Sequence, residues 1–559
     1  MLIDKGLITP AQLDAAIAEQ KKIGEFIGTT LVKMNFLTEE QIFPVLSEQL
    51  EIEYAKLKKI QIDPQTIELV PAKFACHYKL IPIKKENNIL TVAVSDPMNI
   101  QMLDDLRLLL KVEVNPVLAG QKDILEAIRK YYGVGAETIE KMVSEPSPLQ
   151  ELKAFKIAAE DLESLAEDAS IIKFVNQIIL QAVQDRATDI HIEPFEEQLR
   201  IRYRIDGILY DASVPANIKY FHSPIVSRLK IMANLDIAER RLPQDGRMLV
   251  RLAGKDLDLR ISILPTPYGE TVDIRILLPS MLFSLEDLGL SKSDREILET
   301  LIARPHGIIF VTGPTGSGKT TTLYACLNKI NDAKKKIITI EDPIEYQIKG
   351  ITQIQVQPKV GLSFAQGLRS MLRHDPDIMM VGEVRDRETA DITIRVALTG
   401  HLVFSTVHTN DAAGGVARLL DIGIEPYLIA SSVECFIAQR LVRLICPKCK
   451  HQVELRKELL RQLGSEQQED SSGMKFFEGK GCEYCKFTGY RGRTGIYEFL
   501  LVNEDIRELI LKRTSASQIK KAAVSGGMRT LRQDGWERVK MGLTTPQEVV
   551  RVTQLEEVS

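Results

Sequence analysis

The chain has 559 residues, which is too long for one hydrophobic core and predicts three or four domains. Its 72 basic and 76 acidic residues give a net charge of −4, which argues against bulk nucleic-acid binding because nucleic-acid-binding domains are usually basic. The sequence has neither the pattern of a signal peptide nor an apolar run of the ~18 residues that suggest a membrane span, so we expect a cytoplasmic protein.

The N-terminal part of the chain contains an internal repeat. Residues 2–20 align without gaps to residues 31–49. Thr9 and Thr38 are each placed to cap a helix, and apolar residues follow both at helical spacing. We therefore predict a helical repeat over residues 1–60.

The next two segments differ in their hydrophobic pattern. Residues 61–135 alternate strand-like and helical stretches, which predicts a small α/β domain attached to the repeat. Residues 136–168 are acidic, contain Pro146 and Pro148 and lack a core pattern, so we predict an interdomain linker with some helix.

A folded pattern resumes over residues 169–285, where three predicted strands carry arginines on one face. Residues 199–205 alternate strictly between apolar and polar types, so their three arginines share one side of a strand. Two later strands add Arg260 and Arg275 in the same way. The pattern has two interpretations: a solvated face with scattered ion pairs, or a surface that meets phosphates or a neighbouring subunit.

Residues 286–440 alternate apolar strands with helices, as a parallel α/β sheet does. A buried-type strand over residues 306–312 leads directly into Gly-x4-Gly-Lys-Thr, and a helical segment follows. This strand–loop–helix context supports a phosphate-binding loop, in which backbone N–H groups surround the phosphates. The predicted nucleotide-binding residues of the loop are Gly313, Pro314, Thr315, Gly316, Ser317, Gly318, Lys319, Thr320 and Thr321. We expect Lys319 to reach the β- and γ-phosphates of ATP and the Thr320 hydroxyl to bind Mg²⁺.

Polar residues that end three other strands are candidates for the chemistry. Glu383 ends an apolar strand and is predicted to orient the attacking water and to support Mg²⁺. Glu341 and Asp342 end a second strand, where they are candidates for an assisting base or for a solvated face. His408 ends a third strand, as a candidate sensor of the γ-phosphate or as a structural histidine.

Four of the seven cysteines form two Cys-x-x-Cys pairs, Cys446 with Cys449 and Cys482 with Cys485. In a reducing compartment such pairs indicate metal binding before a disulfide, and two of them can hold one tetrahedral ion as in structural Cys₄ zinc sites. Redox sensing and an iron–sulfur cluster are the alternatives. We predict a zinc-binding subdomain over residues 441–498, followed by a mainly helical region over residues 499–559.

The order and wording of four motifs resemble those of the type II secretion and type IV pilus assembly ATPases. The motifs are a Walker A loop, an Asp box, a modified Walker B strand and a His box, at residues 313–320, 339–345, 381–386 and 400–410. The resemblance covers nearly the whole chain and implies a multidomain α/β fold. A RecA-like P-loop NTPase domain would follow a PAS-like α/β domain and an N-terminal domain of helical repeat plus α/β part, with a zinc-binding subdomain and a helical C-terminus behind it.

The resemblance also implies a hexameric ATPase motor that uses ATP, Mg²⁺ and Zn²⁺. Its nucleotides would sit between the central domain and the phosphate-loop domain, in reach of arginines from the same or a neighbouring subunit. The candidates are Arg204, Arg241, Arg247, Arg260 and Arg275. The motor would assemble pilin-like subunits for type II protein secretion, with type IV pilus assembly as the alternative and a nucleic-acid translocase as a less favoured one.

The N-terminal domain has two conceivable roles by the same resemblance. In some relatives a repeat of this kind binds cyclic di-GMP, but this chain has Phe26 where an arginine is expected and Asn35 where a glycine is expected. Loss of a phosphate-contacting arginine weakens such a site, so cyclic di-GMP is not an expected ligand. We expect instead that the domain docks an inner-membrane platform protein, which would attach the ring peripherally to the membrane.

Overall fold

The computed structural model divides the chain into two compact units, Met1–Leu277 and Leu278–Ser559. It describes residues 2–136 with short gaps at 4, 24–29, 32–33, 35, 38, 58–59 and 98, then residues 138–139, 168–277 except 253, 284–454 and 475–553. Within these ranges no helix has the length and apolar character that crossing a membrane requires. Phe26, Asn35 and Thr38, and most of the predicted linker, lie outside the described residues.

The first unit begins with two helices of the repeat, α1 (Pro10–Ile23) and α2 (Glu39–Leu50). Thr9 caps α1 as the sequence predicts. Its backbone N–H donates to Gln12 Oε1 at 2.9 Å, and the Gln12 N–H donates back to Thr9 Oγ1 at 3.3 Å. This reciprocal pair satisfies donors that an α-helix leaves open at its start.

A three-stranded sheet follows, in the order β1-β2-β3, with β1 and β2 antiparallel and β2 and β3 parallel. The strands are β1 (Leu80–Glu86), β2 (Ile89–Val94) and β3 (Glu113–Leu118). The helices around them are α3 (Pro64–Glu68), α4 (Ala72–Tyr78), α5 (Ile100–Leu110) and α6 (Gln121–Tyr132). The parallel pair requires a crossover, which α5 supplies.

The rest of the first unit is a six-stranded antiparallel sheet in the order β6-β5-β4-β9-β8-β7. Its strands are β4 (Ala187–Pro194), β5 (Leu199–Ile205), β6 (Ile208–Asp211), β7 (Gln244–Leu252), β8 (Lys255–Thr266) and β9 (Gly269–Leu277). Helices α7 (Ala169–Gln184) and α8 (His222–Met232) accompany it. Buried and part-exposed residues alternate along β5, which confirms the predicted two-faced strand, and the Tyr203 hydroxyl donates to the Ile178 carbonyl of α7 at 3.2 Å.

The second unit is built on a seven-stranded sheet in the order β12-β11-β13-β14-β10-β15-β18. All neighbours in it are parallel except β15 and β18, so the unit confirms the predicted parallel α/β sheet. Its strands are β10 (Gly307–Thr312), β11 (Ile337–Glu341), β12 (Thr352–Gln355), β13 (Ile378–Val381), β14 (Leu402–Val407), β15 (Val433–Ile445) and β18 (Tyr490–Leu501). Strands β10, β11, β13 and β14 are wholly buried, as strands covered on both faces are.

Helices cover this sheet, and a small ribbon extends from it. The helices are α9 (Lys292–Ile302), α10 (Lys319–Ile330), α11 (Phe364–Met371), α12 (Arg387–Leu398), α13 (Ala412–Asp421), α14 (Pro426–Ser432), α15 (Glu504–Leu511), α16 (Ala516–Ser525), α17 (Leu531–Lys540) and α18 (Pro546–Val552). The ribbon consists of two antiparallel strands, β16 (Lys450–Val453) and β17 (Phe476–Gly479). The domain boundaries derived from the sequence stay predictions.

Candidate active site

The predicted phosphate loop lies at the carboxyl end of β10, between β14 and β15, and leads into α10. Gly313 has a φ of +151°, and a Cβ there would come within 2.7 Å of the Gln439 carbonyl oxygen on β15. A side chain at this position would therefore collide with backbone that cannot move aside. The first glycine of the motif is required by the close approach of a neighbouring strand.

The side chain of Lys319 folds back and bonds to the start of the phosphate loop. Its ammonium donates to the carbonyl oxygens of Gly313 at 2.8 Å and Pro314 at 3.1 Å, and the residue is only 9% exposed. Burial lowers the pKa of Lys319 to about 8; the nearby negative charge of Glu383 opposes this shift, and Arg440 adds to it. The ammonium is thus held inside the loop by oxygens that a phosphate would replace.

Two neighbouring strands bring Glu383 and His408 to the same edge of the sheet. Glu383 follows β13 and His408 follows β14, which are parallel neighbours, and β14 lies beside β10. His408 Nε2 lies 3.2 Å from Glu383 Oε2, and Arg385 forms an ion pair with the same carboxylate. The Glu383 side chain is only 12% exposed, whereas His408 is half exposed. The structure therefore fixes the Glu383 carboxylate between His408 and Arg385 beside the loop.

The two acids of the Asp box have different surroundings. Glu341 is 3% exposed, and it accepts hydrogen bonds from Thr339 Oγ1 at 2.7 Å and Gln353 Nε2 at 3.0 Å. The hydroxyl of Tyr324, on α10, donates to the other carboxylate oxygen. Burial, together with this carboxylate, raises the pKa of Tyr324. Asp342 is exposed and lies near enough to Arg385 to raise the pKa of that guanidinium, behind the larger effect of Glu383.

Strand β15 and the segment after β14 support the loop through residues that the sequence reasoning missed. The hydroxyls of Thr312 and Thr409 lie 2.5 Å apart and tie the end of β10 to the segment after His408. Gln439 accepts a hydrogen bond from the Thr322 hydroxyl at 2.8 Å, and its amide would lie 2.7 Å from a Cβ at Gly318. The available signal was the adjacent polar pair Gln439-Arg440 in the middle of β15, where the neighbouring residues on both sides are apolar.

The five predicted phosphate-contacting arginines all belong to the first unit, and four of them form a row in its antiparallel sheet. The row runs through directly opposed residues of five neighbouring strands, in the spatial order β5-β4-β9-β8-β7. The members, in spatial order, are Arg204, Asp189, Arg275, Arg260 and Arg247. Since opposed residues of an antiparallel pair share a face, the row confirms that the predicted arginine strands form one polar face.

Carboxylates accompany this row. Arg275 Nε lies 3.0 Å from Asp189 Oδ1, and Arg204 Nε lies 3.6 Å from Asp189 Oδ2. Arg247 makes two bonds to Asp258, of 2.7 and 2.6 Å. Arg241 lies outside the row, in the loop before β7, and pairs with Glu239 while remaining 88% exposed. These ion pairs agree with the solvated-face interpretation, and the phosphate role of the five arginines stays a prediction.

The four paired cysteines come together at the far end of β15. Their sulfur atoms all lie within 4.8 Å of one another, and three of the separations are 3.8 Å. A tetrahedral zinc ion with bonds of ~2.3 Å requires sulfur atoms about 3.8 Å apart, so the four thiols fit such an ion. The backbone N–H groups of Cys482 and Gly489 point at Cys485 Sγ, at 3.2 and 3.3 Å, as donors do towards a thiolate ligand.

Comparison with known proteins bears on this geometry. The family model described as "Type II/IV secretion system protein" matches residues 164–551, which is well over half of the chain. The chain belongs to this family. A second model, the MshEN domain, matches residues 50–138.

Full-length relatives carry two different names. The type IV pilus assembly ATPase PilB of Myxococcus xanthus is 41% identical over 98% of this chain and 97% of its own length. The type II secretion system protein E of Dickeya dadantii is 43% identical over 88% of this chain and 98% of its own length. The protein is therefore a secretion-family ATPase, which confirms the resemblance identified from the four motifs.

A solved structure supports the fold. The crystal structure of the Legionella pneumophila ATPase DotB matches 68% of this chain and 95% of its own, with a TM-score of 0.50 and 21% identity. At this identity the match establishes a shared fold and nothing further. It agrees with the mixed α/β architecture that the sequence predicted.

Proposed function

We propose that this protein is a motor that couples ATP hydrolysis to the assembly of pilin-like subunits. The observation that carries the proposal is the convergence of Lys319, Glu383 and His408 on one phosphate loop. A lysine held by loop carbonyls is ready to exchange them for phosphate oxygens, and a nearly buried carboxylate beside it is suited to orient a water molecule. ATP is the substrate that this arrangement fits.

The proposed reaction assigns a task to each residue of the site. The backbone of the loop and Lys319 bind the phosphates, while Thr320 and Glu383 would hold Mg²⁺, which neutralises developing charge on the transferred phosphoryl group. Glu383 orients the attacking water, and Arg385 and His408 hold its carboxylate in place. His408 also senses the γ-phosphate. The cysteines would hold zinc as a structural ion, because four thiolates leave no open coordination position.

The proposed assembly extends beyond one chain. Six copies would form a ring in the cytoplasm, with the N-terminal domain docked to an inner-membrane platform protein. Arginines of the first unit would be drawn to the ATP phosphates and released when the γ-phosphate leaves, since an anion attracts cationic surfaces only while it is bound. Nucleic acid is not a proposed partner, because the chain carries more acidic than basic residues.

Two machines are candidates for what the motor drives. Type II protein secretion is the prediction from the sequence and type IV pilus assembly is the alternative, and relatives of each name span nearly the whole chain. The test is Lys319→Ala in the native strain, with surface pili and secreted enzymes assayed in parallel. Loss of pili with normal export identifies a pilus motor, and periplasmic retention of secreted proteins with intact pili identifies a secretion motor.

The matched control is Lys329→Ala, which removes an exposed lysine at the other end of the same helix. It should leave both phenotypes unchanged. If Lys319→Ala, expressed at the wild-type level, alters neither pili nor export, the proposed function is wrong.

A further inference from the structure

A buried arginine that pairs with no carboxylate among the described residues lies directly behind the phosphate loop. We propose that Arg440 is a positioning residue for nucleotide binding: it holds the first glycine of the loop in place and supplies a fixed positive charge that bound phosphates neutralise. This inference rests on the proposed role of the loop as the ATP site.

The position of Arg440 relative to the loop is set by β15. Its Nη1 donates to the Gln439 carbonyl at 3.0 Å, and its Nη2 donates to the Asn410 carbonyl at 2.7 Å. The point where a Cβ of Gly313 would lie is 3.1 Å from Nη1. The guanidinium thus packs against the first residue of the loop and joins it to the segment that follows His408.

The charge of Arg440 has no counter-ion among the residues that the structure describes in the second unit. Among the described residues of Leu278–Ser559, no carboxylate lies within ion-pair distance of the guanidinium, which is only 9% exposed. The acids that act on it from further away are engaged elsewhere: Asp411 pairs with Lys520 at 3.4 Å, and Glu498 accepts from the Ala412 N–H at 2.9 Å. Burial lowers the pKa of Arg440, yet an arginine side chain stays charged at neutral pH.

A second arginine on β15, Arg443, has the buried carboxylate partner that Arg440 lacks among the described residues. Arg443 lies three residues further along β15, and its Nη2 lies 2.5 Å from a buried Glu548 carboxylate oxygen. A buried charge is ordinarily compensated in this way, because desolvation without a partner costs several kcal/mol. In the part of the chain that the structure describes, Arg440 donates to the backbone carbonyls of Gln439 and Asn410 and to the Asn410 side-chain oxygen, and to no carboxylate. We therefore infer that an anion that binds to the protein compensates the charge of Arg440.

The loop itself has an excess of positive charge. Lys319 and Arg440 both lie at it, and each disfavours the charged form of the other, as the lowered pKa of Lys319 reflects. Glu383 is the acid that acts on Lys319, and this carboxylate already pairs with Arg385 and lies against His408. A polyphosphate would relieve the repulsion between two cations in a region of low dielectric, where such interactions are strong.

The test compares variants that separate charge from shape. Arg440→Lys keeps the charge, whereas Arg440→Met removes it at similar length. We expect Arg440→Met to weaken ATP binding at least about tenfold in calorimetry and Arg440→Lys to stay within about threefold of the wild type. Arg395→Gln, which removes an exposed arginine from α12, is the matched control and should not change the dissociation constant.

Other outcomes contradict the inference. Equal ATP affinity of the Lys and Met variants would show that the charge is immaterial. Arg440→Gln is a second neutral variant, with a polar side chain; if neither neutral variant folds, Arg440 has a structural role and the inference is wrong. ATP binding by the wild type separates the two proposals: if the wild type binds no ATP, the proposed function fails, and if the wild type and Arg440→Met bind ATP equally tightly, only this inference fails.

Discussion

Glu383 and Glu341 are both acids at strand ends near the loop, but their hydrogen bonds suggest different roles. Glu383→Gln should lower kcat at least ~100-fold with little change in ATP affinity, because the amide cannot accept a proton from water. Glu341→Gln should instead lower the free energy of unfolding by about 1–3 kcal/mol, because an amide oxygen cannot satisfy the donors of Tyr324, Thr339 and Gln353. Steady-state kinetics and denaturant unfolding of both variants distinguish the roles. Unchanged turnover in Glu383→Gln would remove it from the chemistry.

The lowered pKa of Lys319 predicts how ATP affinity depends on pH. The free protein loses the Lys319 proton as pH rises through about 8, whereas bound phosphates favour the charged ammonium and raise its pKa. Affinity should therefore be nearly constant below pH 8 and fall above it, by up to about tenfold per pH unit, with proton uptake on binding. Calorimetry at pH 9 in buffers of different ionisation enthalpy measures that uptake. Equal heats in all buffers would contradict the prediction.

At the scale of elements, the cysteine knuckle has a testable dependence on metal. We define the knuckle as residues 446–449 and 480–489, which carry the four thiols. Removal of zinc leaves four thiols without their common ligand, so the knuckle should lose its structure while the parallel sheet persists. We expect one zinc per chain by elemental analysis and a lowered melting temperature after chelation. Cys449→Ser should do the same, and Cys76→Ser, outside the cluster, should retain the metal.

The sequence predicted some elements well and others hardly at all. Strand–loop–helix order and the alternating pattern of β5 are local properties, so the phosphate loop and the polar face could be read directly. The role of β15 could not be predicted from the sequence, because its contacts with Gly313 and Gly318 join residues more than a hundred positions apart. The difference between Glu341 and Glu383 was equally hidden, since it depends on a tyrosine donor from another element.

At the scale of the whole molecule, the N-terminal domain should be separable from the ATPase. A chain that lacks residues 1–135 should keep ATP binding, because the hydrogen bonds of Lys319 and Thr322 that shape the loop are made to residues of the second unit. It should lose co-sedimentation with membranes that contain the platform protein. Full-length protein carrying Lys319→Ala is the control, and it should still co-sediment. Membrane association of the truncated chain equal to that of the intact protein would contradict the docking proposal.

Fold class and family were also accessible at this scale, because four motifs in a fixed order identify the family without any structure. The motifs do not identify which machine the ATPase drives, a type II secretion system or a type IV pilus. The phosphate loop and its catalytic edge perform the same chemistry for either machine, and relatives of both names match the chain at similar identity. Cargo is determined by surfaces that meet partners, and no periodic pattern in the chain encodes them.

One strand connects the phosphate loop to the cysteine knuckle. From Arg440 to Cys446 the backbone runs along β15 for six residues, roughly 20 Å at the usual rise of a strand, and it is paired with β18 along this stretch. The register of this pairing shifts between Arg443 and Ile445, so the connection consists of a regularly paired segment followed by one irregularity next to the cysteines. A displacement of the cysteines is therefore transmitted along β15 to Gln439 and Arg440, which lie against Gly313 at the start of the phosphate loop.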